Sequence, residues 1–254
     1  MRTRKRFGQH FLHDPGVLQR IVEAIAPASG DAIVEIGPGE GALTRPLLER
    51  IGHLTAIEID RDLAAGLAQE FSSQELSVVC ADVLDFDFSA FAPGLRVVGN
   101  LPYNISTPIL FHLARYADRV RDMHFMLQRE VVQRMVAKHS TPDYGRLSVM
   151  LQTRFRMHKL FNVASGAFRP PPKVESAVVR LVPLAEKRDW DEAVFERIVR
   201  EAFSARRKTL RNALPLSADD YVDLGLDPKL RPENLSPADY VRIARRASQG
   251  KDIL

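Results

Sequence analysis

The sequence predicts an α/β fold, a central sheet flanked by helices, followed by a small C-terminal all-helical domain. Short apolar runs alternate with segments of helical periodicity up to about residue 181, as in folds whose strands are joined by helices. Three glycines at positions 37, 39 and 41 separate the first run from its helix. From Asp191 onward the apolar spacing is helical, which predicts the second domain.

Each strand is predicted from a short apolar run that ends in turn residues. The runs are 32–36, 54–59, 76–80, 95–99, 123–128 and 177–181. Helices are predicted between them, and the first has Asp14 as its N-cap and Pro15 at its first position. Another helix is predicted from Asp191, and the last one from Ser236. The boundary between the domains is expected in the polar stretch 183–188.

The glycine-rich turn and Glu58 predict a Rossmann-like site for an adenine nucleoside. Glycine permits a sharp turn and close approach of a ligand, and Glu58 ends the next strand, where a carboxylate can bind both ribose hydroxyls. The spacing Gly-x-Gly-x-Gly is shorter than the dinucleotide fingerprint, and the adjacent Glu35 and Glu40 favour a cation over a pyrophosphate. S-adenosylmethionine, with its sulfonium and ammonium groups, fits. A dinucleotide-dependent oxidoreductase and a turn without ligand are the alternatives.

Asp82 and His10 are further candidates for this site. Asp82 follows the third strand, so it is expected at the carboxyl edge of the sheet, where it can accept from the exocyclic amine of an adenine. A helix or turn cap is the alternative for Asp82. His10 is expected to cover the nucleoside as a polar or aromatic lid. His10 and His13 have neither a cysteine nor a third histidine beside them, and no metal site is predicted.

The segment Asn100-Leu101-Pro102-Tyr103, which follows the fourth strand, predicts the chemistry. The exocyclic amine of adenine is a weak nucleophile, because its lone pair is delocalised into the ring. The Asn100 side-chain carbonyl and a backbone carbonyl near Leu101 can each accept one N–H and direct the lone pair at a sulfonium methyl. Tyr103 offers a ring on which an extruded base can stack. A Pro-containing turn between strand and helix is the structural alternative.

Charge is divided unequally along the chain, although the formal net charge is only +4. Residues 13–120 carry 7 Lys and Arg against 15 Asp and Glu, whereas residues 121–185 carry 11 against 4. The basic tail 1–12 adds 4 Lys and Arg and no acid. An acidic nucleoside-binding half joined to a basic middle is typical of an enzyme that binds a polyanion. Solvated charges scattered over a surface are the alternative.

Two basic groups are predicted to contact RNA phosphates. One surrounds Phe155 and Phe161, and core aromatics between solvated arginines are its alternative interpretation. The residues of the second group lie within about one and a half helical turns, where their like charges repel one another unless an anion binds between them. The first group is Arg146, Arg154, Arg156 and Lys159, and the second is Arg206, Arg207, Lys208 and Arg211.

Composition predicts a cytoplasmic protein. No apolar run reaches the length of a membrane span and no signal-peptide pattern is present. Cys80 is the only cysteine, so an internal disulfide and a cysteine-based metal site are excluded.

Several motifs together resemble the small-subunit ribosomal RNA adenine dimethyltransferases, the KsgA/RsmA family, along nearly the whole chain. The glycine loop is common to many methyltransferases. The Asn-Leu-Pro-Tyr and Phe-Arg-Pro-Pro-Pro-Lys-Val segments are much more specific to this family. Many family members have Asn where this chain has His10. The matching segments are 8–12, 35–41, 58–60, Asp82, 100–106 and 168–176.

The resemblance implies S-adenosylmethionine as cofactor and N6 of two adjacent adenosines, in a hairpin loop near the 3′ end of 16S rRNA, as the methylated atoms. It implies a methyltransferase domain at 1–184, a helical RNA-binding domain at 185–254, and a 30S subunit precursor as partner of a monomeric enzyme. A non-catalytic RNA-binding assembly or transcription factor and a 23S rRNA adenine dimethylase are the alternatives. Residues implied to hold the cofactor are His10, Leu12, Gly37, Glu58, Asp82 and Asn100; those implied to hold the base are Asn100, Leu101, Tyr103 and Phe168.

Overall fold

The computed structural model describes residues 10–185 and 189–249. Residues 1–9, which contain the four basic residues of the tail together with Gly8 and Gln9 of the first motif, and residues 186–188 of the expected boundary lie outside the described residues. The chain divides into two compact units, residues 1–132 with 156–183 and residues 133–155 with 184–254. The second unit thus includes 133–155, a segment that precedes the predicted domain boundary. No helix among the described residues combines the length and apolar character needed to cross a membrane.

A seven-stranded sheet forms the centre of the first unit. The described strands are β1 Phe11–Leu12, β2 Ile33–Ile36, β3 Leu54–Glu58, β4 Leu76–Cys80, β5 Leu95–Asn100, β6 Val120–Gln128, β7 Phe155–Val163, β8 Phe168–Arg169 and β9 Ser176–Pro183. Their order in the sheet is β4-β3-β2-β5-β6-β9-β7, while β1 and β8 form a separate two-stranded ribbon. Strands β2 to β6 are parallel, and β9 runs antiparallel to β6. The predicted α/β class is confirmed.

All of the predicted strands are present, and β7 is the strand of the sheet that the sequence did not predict. Its first residue, Phe155, belongs to the second unit and the rest to the first. Arg156 and His158 are exposed on it, because β7 lies at the edge of the sheet. An edge strand with polar side chains lacks the continuous apolar run by which buried strands are recognised.

The helices follow the predicted periodicity. They are α1 Pro15–Ile25, α2 Thr44–Ile51, α3 Arg61–Glu70, α4 Ser106–Ala114, α5 Arg129–Val136, α6 Arg146–Gln152, α7 Glu192–Ser204, α8 Leu210–Ala213, α9 Ala218–Leu224 and α10 Pro237–Gln249. Asp14 accepts a hydrogen bond from the Val17 amide at 2.9 Å, as predicted for the N-cap of α1. Helix α6 was not predicted from the sequence pattern.

Parallel strands bring the functional segments to one edge of the sheet. Glu58 pairs with Cys80 at the ends of β3 and β4, and Asn100 at the end of β5 pairs with Met126 of β6. Ligands bind outside the carboxyl ends of such strands. The fold therefore places the glycine loop after β2, Glu58, and Asn100 at the same edge.

At the opposite ends of the parallel strands, the buried guanidinium of Arg96 connects β5, β6 and α1. Arg96 of β5 binds Asp122 of β6 with Nε to Oδ1 at 2.8 Å, and binds Asp31 with Nη1 to Oδ2 at 2.7 Å. It also donates to the carbonyls of Ile25 and Ala26 at the end of α1. Unsatisfied helix carbonyls are thereby paired, and α1 is fixed against the sheet.

In the second unit, α6 packs against α7 and α10, and α7 also packs against α10. Asp191 caps α7 by accepting from the Val194 amide at 3.0 Å. Arg154 is 3% exposed at its side chain and pairs with Glu192, so the prediction that Arg154 contacts RNA is wrong for this conformation. A buried guanidinium with a carboxylate partner serves the unit's own packing.

Candidate active site

A cleft opens at the carboxyl edge of the sheet in the first unit. Its lining includes the glycine loop, the ends of β3 and β5, and the segment after β4. Every residue implied to hold the cofactor lines this cleft, as do three of the four implied to hold the base: His10, Leu12, Gly37, Glu58, Asp82, Asn100, Leu101 and Tyr103. The loop and Asn100 are also direct neighbours, because a Cβ built on Gly37 would lie 3.9 Å from the Asn100 carbonyl oxygen.

The amides of the three glycines in the loop are all hydrogen-bonded within the protein, so none of them is free to bind a pyrophosphate. Gly37 donates to the Ile57 carbonyl at 2.9 Å, Gly41 donates to the Pro38 carbonyl at 2.9 Å, and Gly39 donates to the Glu58 carboxylate at 3.1 Å. All three glycines have positive φ, which glycine adopts without steric cost. Loops that hold dinucleotides or nucleotides direct free amides at the phosphates. The internal bonding therefore opposes the dinucleotide alternative.

Acidic side chains dominate the charge of the cleft. Glu35, Glu40, Glu58 and Asp82 line it, and no Lys or Arg of the described residues does. Burial raises the pKa of Glu35 to about 7; the Thr44 hydroxyl, which donates to it at 2.7 Å, acts against this rise, and the nearby Glu58 adds to it. A cationic ligand fits such a cleft and an anionic one does not. S-adenosylmethionine therefore matches the residues present.

Glu58 and Asp82 keep acceptor capacity for a ligand. The Glu58 carboxylate is buried and accepts from the Gly39 and Asp60 amides at 3.1 and 2.9 Å. Asp82 is half-buried, and its Oδ1 accepts from the Leu84 amide at 2.9 Å. Asp82 therefore caps a turn, the alternative considered for it, and still lines the cleft. A carboxyl group has more acceptor lone pairs than these hydrogen bonds use, so both can also bind hydroxyl or amine hydrogens.

Asn100 is oriented by the main chain of His10. The Asn100 Nδ2 donates to the His10 carbonyl oxygen at 3.0 Å. A carbonyl can only accept, so the nitrogen of the amide must face it. The amide oxygen is consequently the atom left for a ligand, and no hydrogen bond to it is found within residues 10–185 and 189–249. Asn100 presents an acceptor to the cleft, as the predicted chemistry requires.

Tyr103 and His10 form an aromatic pair at the cleft. Their ring centroids are 5.6 Å apart with planes inclined by 28°. His10 Nδ1 lies 2.7 Å from the Pro170 carbonyl oxygen, which fixes the ring hydrogen at Nδ1, because the carbonyl cannot donate. The His10 side chain is thus engaged by the wall of the cleft as well as lining it.

Phe168 lies in the core instead of the cleft. Its side chain is 1% exposed and belongs to the apolar cluster beneath α1, and it is absent from the lining of the cleft. Its pairing with Leu12 across the β1–β8 ribbon turns it inward. In this conformation Phe168 does not present a ring to a base.

Comparison with known proteins identifies the family. The model of the family described as ribosomal RNA adenine dimethylase matches residues 1–249. The chain belongs to this family. A relative from Aromatoleum aromaticum named ribosomal RNA small subunit methyltransferase A is 61% identical over 246 residues, covering 95% of this chain and 93% of the relative. A protein of the same name from Thiobacillus denitrificans is 59% identical over 244 residues, covering 94% of this chain and 96% of the relative.

Two solved structures of dimethylases share the fold. A dimethyladenosine transferase from Plasmodium falciparum is 26% identical with a TM-score of 0.80, covering 94% of this chain and 98% of that one. The 23S rRNA methyltransferase ErmE is 28% identical with a TM-score of 0.69, covering 94% and 100%. The predictions of a Rossmann-like methyltransferase fold, of an rRNA adenine dimethylase and of S-adenosylmethionine as its cofactor are confirmed by the family.

The dimethylase site contains two contacts that the sequence pattern did not reveal. The Thr44 hydroxyl binds Glu35 at 2.7 Å, and the Ser176 and Tyr103 hydroxyls are 2.6 Å apart. Ser176 belongs to the last motif quoted above, and neither its periodicity nor its spacing indicates a partner 73 residues away.

The basic residues of the second unit separate into paired and unpaired groups. Arg206 donates to the Pro142 carbonyl at 2.8 Å and lies 3.7 Å from Glu233, so it is engaged within its own unit. Arg207, Lys208 and Arg211 are exposed. Two backbone hydrogen bonds, Leu210 to Leu230 at 2.7 Å and Arg211 to Pro228 at 3.2 Å, place the segment 228–231 beside them. The resulting basic cluster consists of Arg207, Lys208, Arg211, Lys229 and Arg231.

Proposed function

We propose that the chain dimethylates N6 of two adjacent adenosines in the loop of a hairpin near the 3′ end of 16S rRNA. Curated relatives that are 55% to 61% identical carry the name small subunit methyltransferase A, whereas the 23S enzyme ErmE is 28% identical. This difference favours the small-subunit RNA over the 23S alternative. The Asn-Leu-Pro-Tyr and Phe-Arg-Pro-Pro-Pro-Lys-Val segments, which are specific motifs of the small-subunit enzymes, favour the same substrate.

The observation that carries this function is the orientation of the Asn100 amide. Bound S-adenosylmethionine supplies an electrophilic methyl group. The Asn100 oxygen and a nearby backbone carbonyl accept the hydrogens of the target amine, so its lone pair is directed away from them and into the cleft. Acceptors fixed before the reaction stabilise the partial positive charge that develops on the nitrogen without reorganising. No strong base is required, because the methylated nitrogen is positively charged and acidic and loses its proton to water.

Two methyl groups per nitrogen are compatible with the same residues. After the first transfer the amine keeps one N–H, and the Asn100 oxygen can still accept it. The other acceptor position is then taken by the methyl group. The Asn100 contact thus serves both steps, and it is lost only in the dimethylated product.

The basic cluster of the second unit supports the proposal that this unit binds RNA. Five exposed basic residues lie on two segments that are joined by backbone hydrogen bonds, and no ion pair to any of them is found within the described ranges. Unpaired cations at close spacing are stabilised by phosphates. The whole basic cluster lies in the predicted domain 185–254, to which we assign RNA binding, and we assign the methyl transfer to the predicted domain 1–184. The enzyme is proposed to act as a monomer on a 30S subunit precursor in the cytoplasm.

The decisive experiment is a transfer assay with labelled S-adenosylmethionine. The substrates are small subunits and, separately, large subunits, both from cells lacking the modification. Nucleoside analysis should find labelled N6,N6-dimethyladenosine only in the small-subunit RNA. Label in the large-subunit RNA would support the 23S alternative, and RNA binding without any label would support a non-catalytic assembly or transcription factor.

Replacement of Asn100 by Ala tests the assigned chemistry. Transfer should fall by about 100-fold or more, the usual effect of removing one preorganised polar contact, while RNA affinity should stay within about twofold because phosphate contacts dominate it. Filter binding and the transfer assay measure the two quantities. Retention of most of the turnover by N100A would contradict the role of Asn100.

A further inference from the structure

Ser176 makes a buried contact with the aromatic wall of the cleft. It is the first residue of β9 and is 0% exposed. Its Oγ lies 2.6 Å from the Tyr103 hydroxyl oxygen, and either hydroxyl can donate. No other hydrogen bond of the Ser176 hydroxyl is found in the described part of the chain. A buried hydroxyl without a partner is costly, so each of the two satisfies the other.

Tyr103 depends on such a contact because its backbone lies in a turn. The segment between β5 and α4 has no regular structure, and its own bonds are the Ile105 amide to the Pro102 carbonyl at 3.2 Å and the Ser106 hydroxyl to the Tyr103 carbonyl at 3.3 Å. These bonds fix the main chain and leave the side-chain torsions free. The hydroxyl at the far end of the ring is the point at which a single hydrogen bond restrains both torsions.

The ring and the hydroxyl of Tyr103 are therefore contacted by different parts of the first unit. His10 stacks against the ring at 5.6 Å, and Ser176 anchors the hydroxyl from β9. Burial raises the pKa of Tyr103, with the Ser176 hydrogen bond opposing that rise, so the hydroxyl stays neutral and can donate or accept. Tyr103 lines the same cleft as Asn100.

We propose that Ser176 is a positioning residue that holds the Tyr103 ring in the orientation on which the target adenine stacks. The inference rests on the proposed adenine dimethylation and extends it to a residue that does not itself line the cleft. Stacking of a base on an aromatic ring is sensitive to the tilt of that ring. A ring released from Ser176 binds the extruded base less well, and the amine then meets the Asn100 oxygen less often.

The test compares S176A, Y103F and the double variant with the wild type. S176A removes the hydrogen bond from one side and Y103F from the other, and Y103F keeps the ring. Each should lower kcat by about 3- to 10-fold, as expected for one hydrogen bond, with little change in KM for RNA. The double variant should be no worse than either single variant, because both remove the same interaction. Calorimetric affinity for S-adenosylmethionine should be unchanged in all of them.

A second readout needs no cofactor. A hairpin RNA with 2-aminopurine at the target position reports stacking of the extruded base through its fluorescence. Wild-type protein should quench it relative to the same base unstacked, and S176A and Y103F should quench it less at equal RNA saturation. S148A is the matched control, because Ser148 is also 0% exposed and its hydroxyl binds the Gly145 amide at 3.1 Å in the second unit. S148A should lower the Tm and leave kcat and quenching unchanged.

The outcomes separate the two ideas. Wild-type kcat and wild-type quenching in S176A would overturn the positioning role alone, and so would additive losses in the double variant. Absence of both transfer and quenching in the wild type would overturn the proposed function and the positioning role together. If S176A does not fold, Y103F carries the test, and restoration of activity by S176T, which keeps the hydroxyl, would support the role.

Discussion

At the scale of single residues, the site depends on which atom of a polar side chain is already occupied. The Asn100 amide could present either its oxygen or its nitrogen, and the bond at 3.0 Å to the His10 carbonyl decides for the oxygen. An amide rotated the other way would donate to the target amine and compete with its hydrogens. A main-chain carbonyl thus controls the chemistry of a side chain 90 residues away.

Glu35 is the residue whose ionisation should affect stability most clearly. Its pKa is raised by burial from 4.5 to about 7, so between those values the folded protein binds more protons than the unfolded chain. Stability contributed by this group therefore falls as pH rises from about 4.5 to 7, by about 3 kcal/mol in total. E35Q lacks this loss, because the amide does not ionise.

Urea unfolding of E35Q and the wild type at pH 5, 6, 7 and 8 measures this effect. The advantage of E35Q in free energy of unfolding should grow across the series and level off above pH 7. E40Q, at an exposed acid that lines the same cleft, is the matched control for replacing a carboxyl group by an amide there. A difference for E35Q that does not vary with pH would show that Glu35 is ionised throughout.

At the scale of elements, strand β1 and the glycine loop are fitted to each other. A Cβ added at Gly39 would lie 2.9 Å from the Phe11 ring, closer than carbon atoms approach. The missing side chain therefore allows β1 to lie on the loop, in addition to permitting φ of +58°. Because β1 pairs with β8, and His10 precedes β1 directly, the packing of this ring also affects how Asn100 is held.

Substitution of Gly39 by Ala should separate these two effects when it is compared with G30A. Gly30 has φ of +86° with nothing within 4 Å of an added Cβ, so G30A introduces backbone strain alone. Backbone strain should lower the stability of each variant by about 1–2 kcal/mol, and displacement of Phe11 should add to the loss in G39A. Only G39A should also weaken S-adenosylmethionine binding, by about 10-fold or more, because it displaces Phe11 at an overpacking cost of about 1–3 kcal/mol. Calorimetry measures the affinities, and equal affinities in the two variants would contradict the fit of β1 to the loop.

At the scale of the whole molecule, local patterns predicted what depends on neighbours in sequence. Apolar runs predicted the buried strands, and Asp14 and Asp191 predicted the starts of α1 and α7 through bonds spanning three residues. The parallel sheet then brings Glu58 and Asn100 to one edge, so the location of the site follows from topology.

Features that depend on distant contacts were not predictable in the same way. Phe168 precedes three prolines and suits an exposed clamp by local pattern, yet pairing of β8 with β1 places it in the core. Arg154 and Arg206 belong to basic runs, and each has an acidic neighbour that is remote in sequence, Glu192 and Glu233. Composition reports the charge of a segment and does not report which charges are already paired.

The basic cluster shows the same limit in the opposite direction, because the fold adds members to it. Lys229 and Arg231 follow the run at 207–211 by about 20 residues, and the Leu210–Leu230 bond at 2.7 Å brings the two segments together. If RNA lies on this cluster, both segments should contribute to one electrostatic surface. If only the sequence run binds, the second segment should have no effect.

Salt dependence of RNA binding distinguishes these cases. Each lost phosphate contact should reduce the slope of log K against log salt by about 0.7–0.9, so replacement of Arg207, Lys208 and Arg211 by Ala should flatten it by about 2. K229A with R231A should flatten it by a further 1 to 2 if the cluster acts as one surface, at about 0.7–0.9 per contact. R206A is the control, because its pairing with Pro142 and Glu233 predicts a loss of stability with an unchanged slope. Removal of a phosphate contact lowers the number of counterions released on RNA binding, and so lowers the slope. An equal slope in the triple variant and the wild type would therefore show that these residues face solvent and do not contact phosphates.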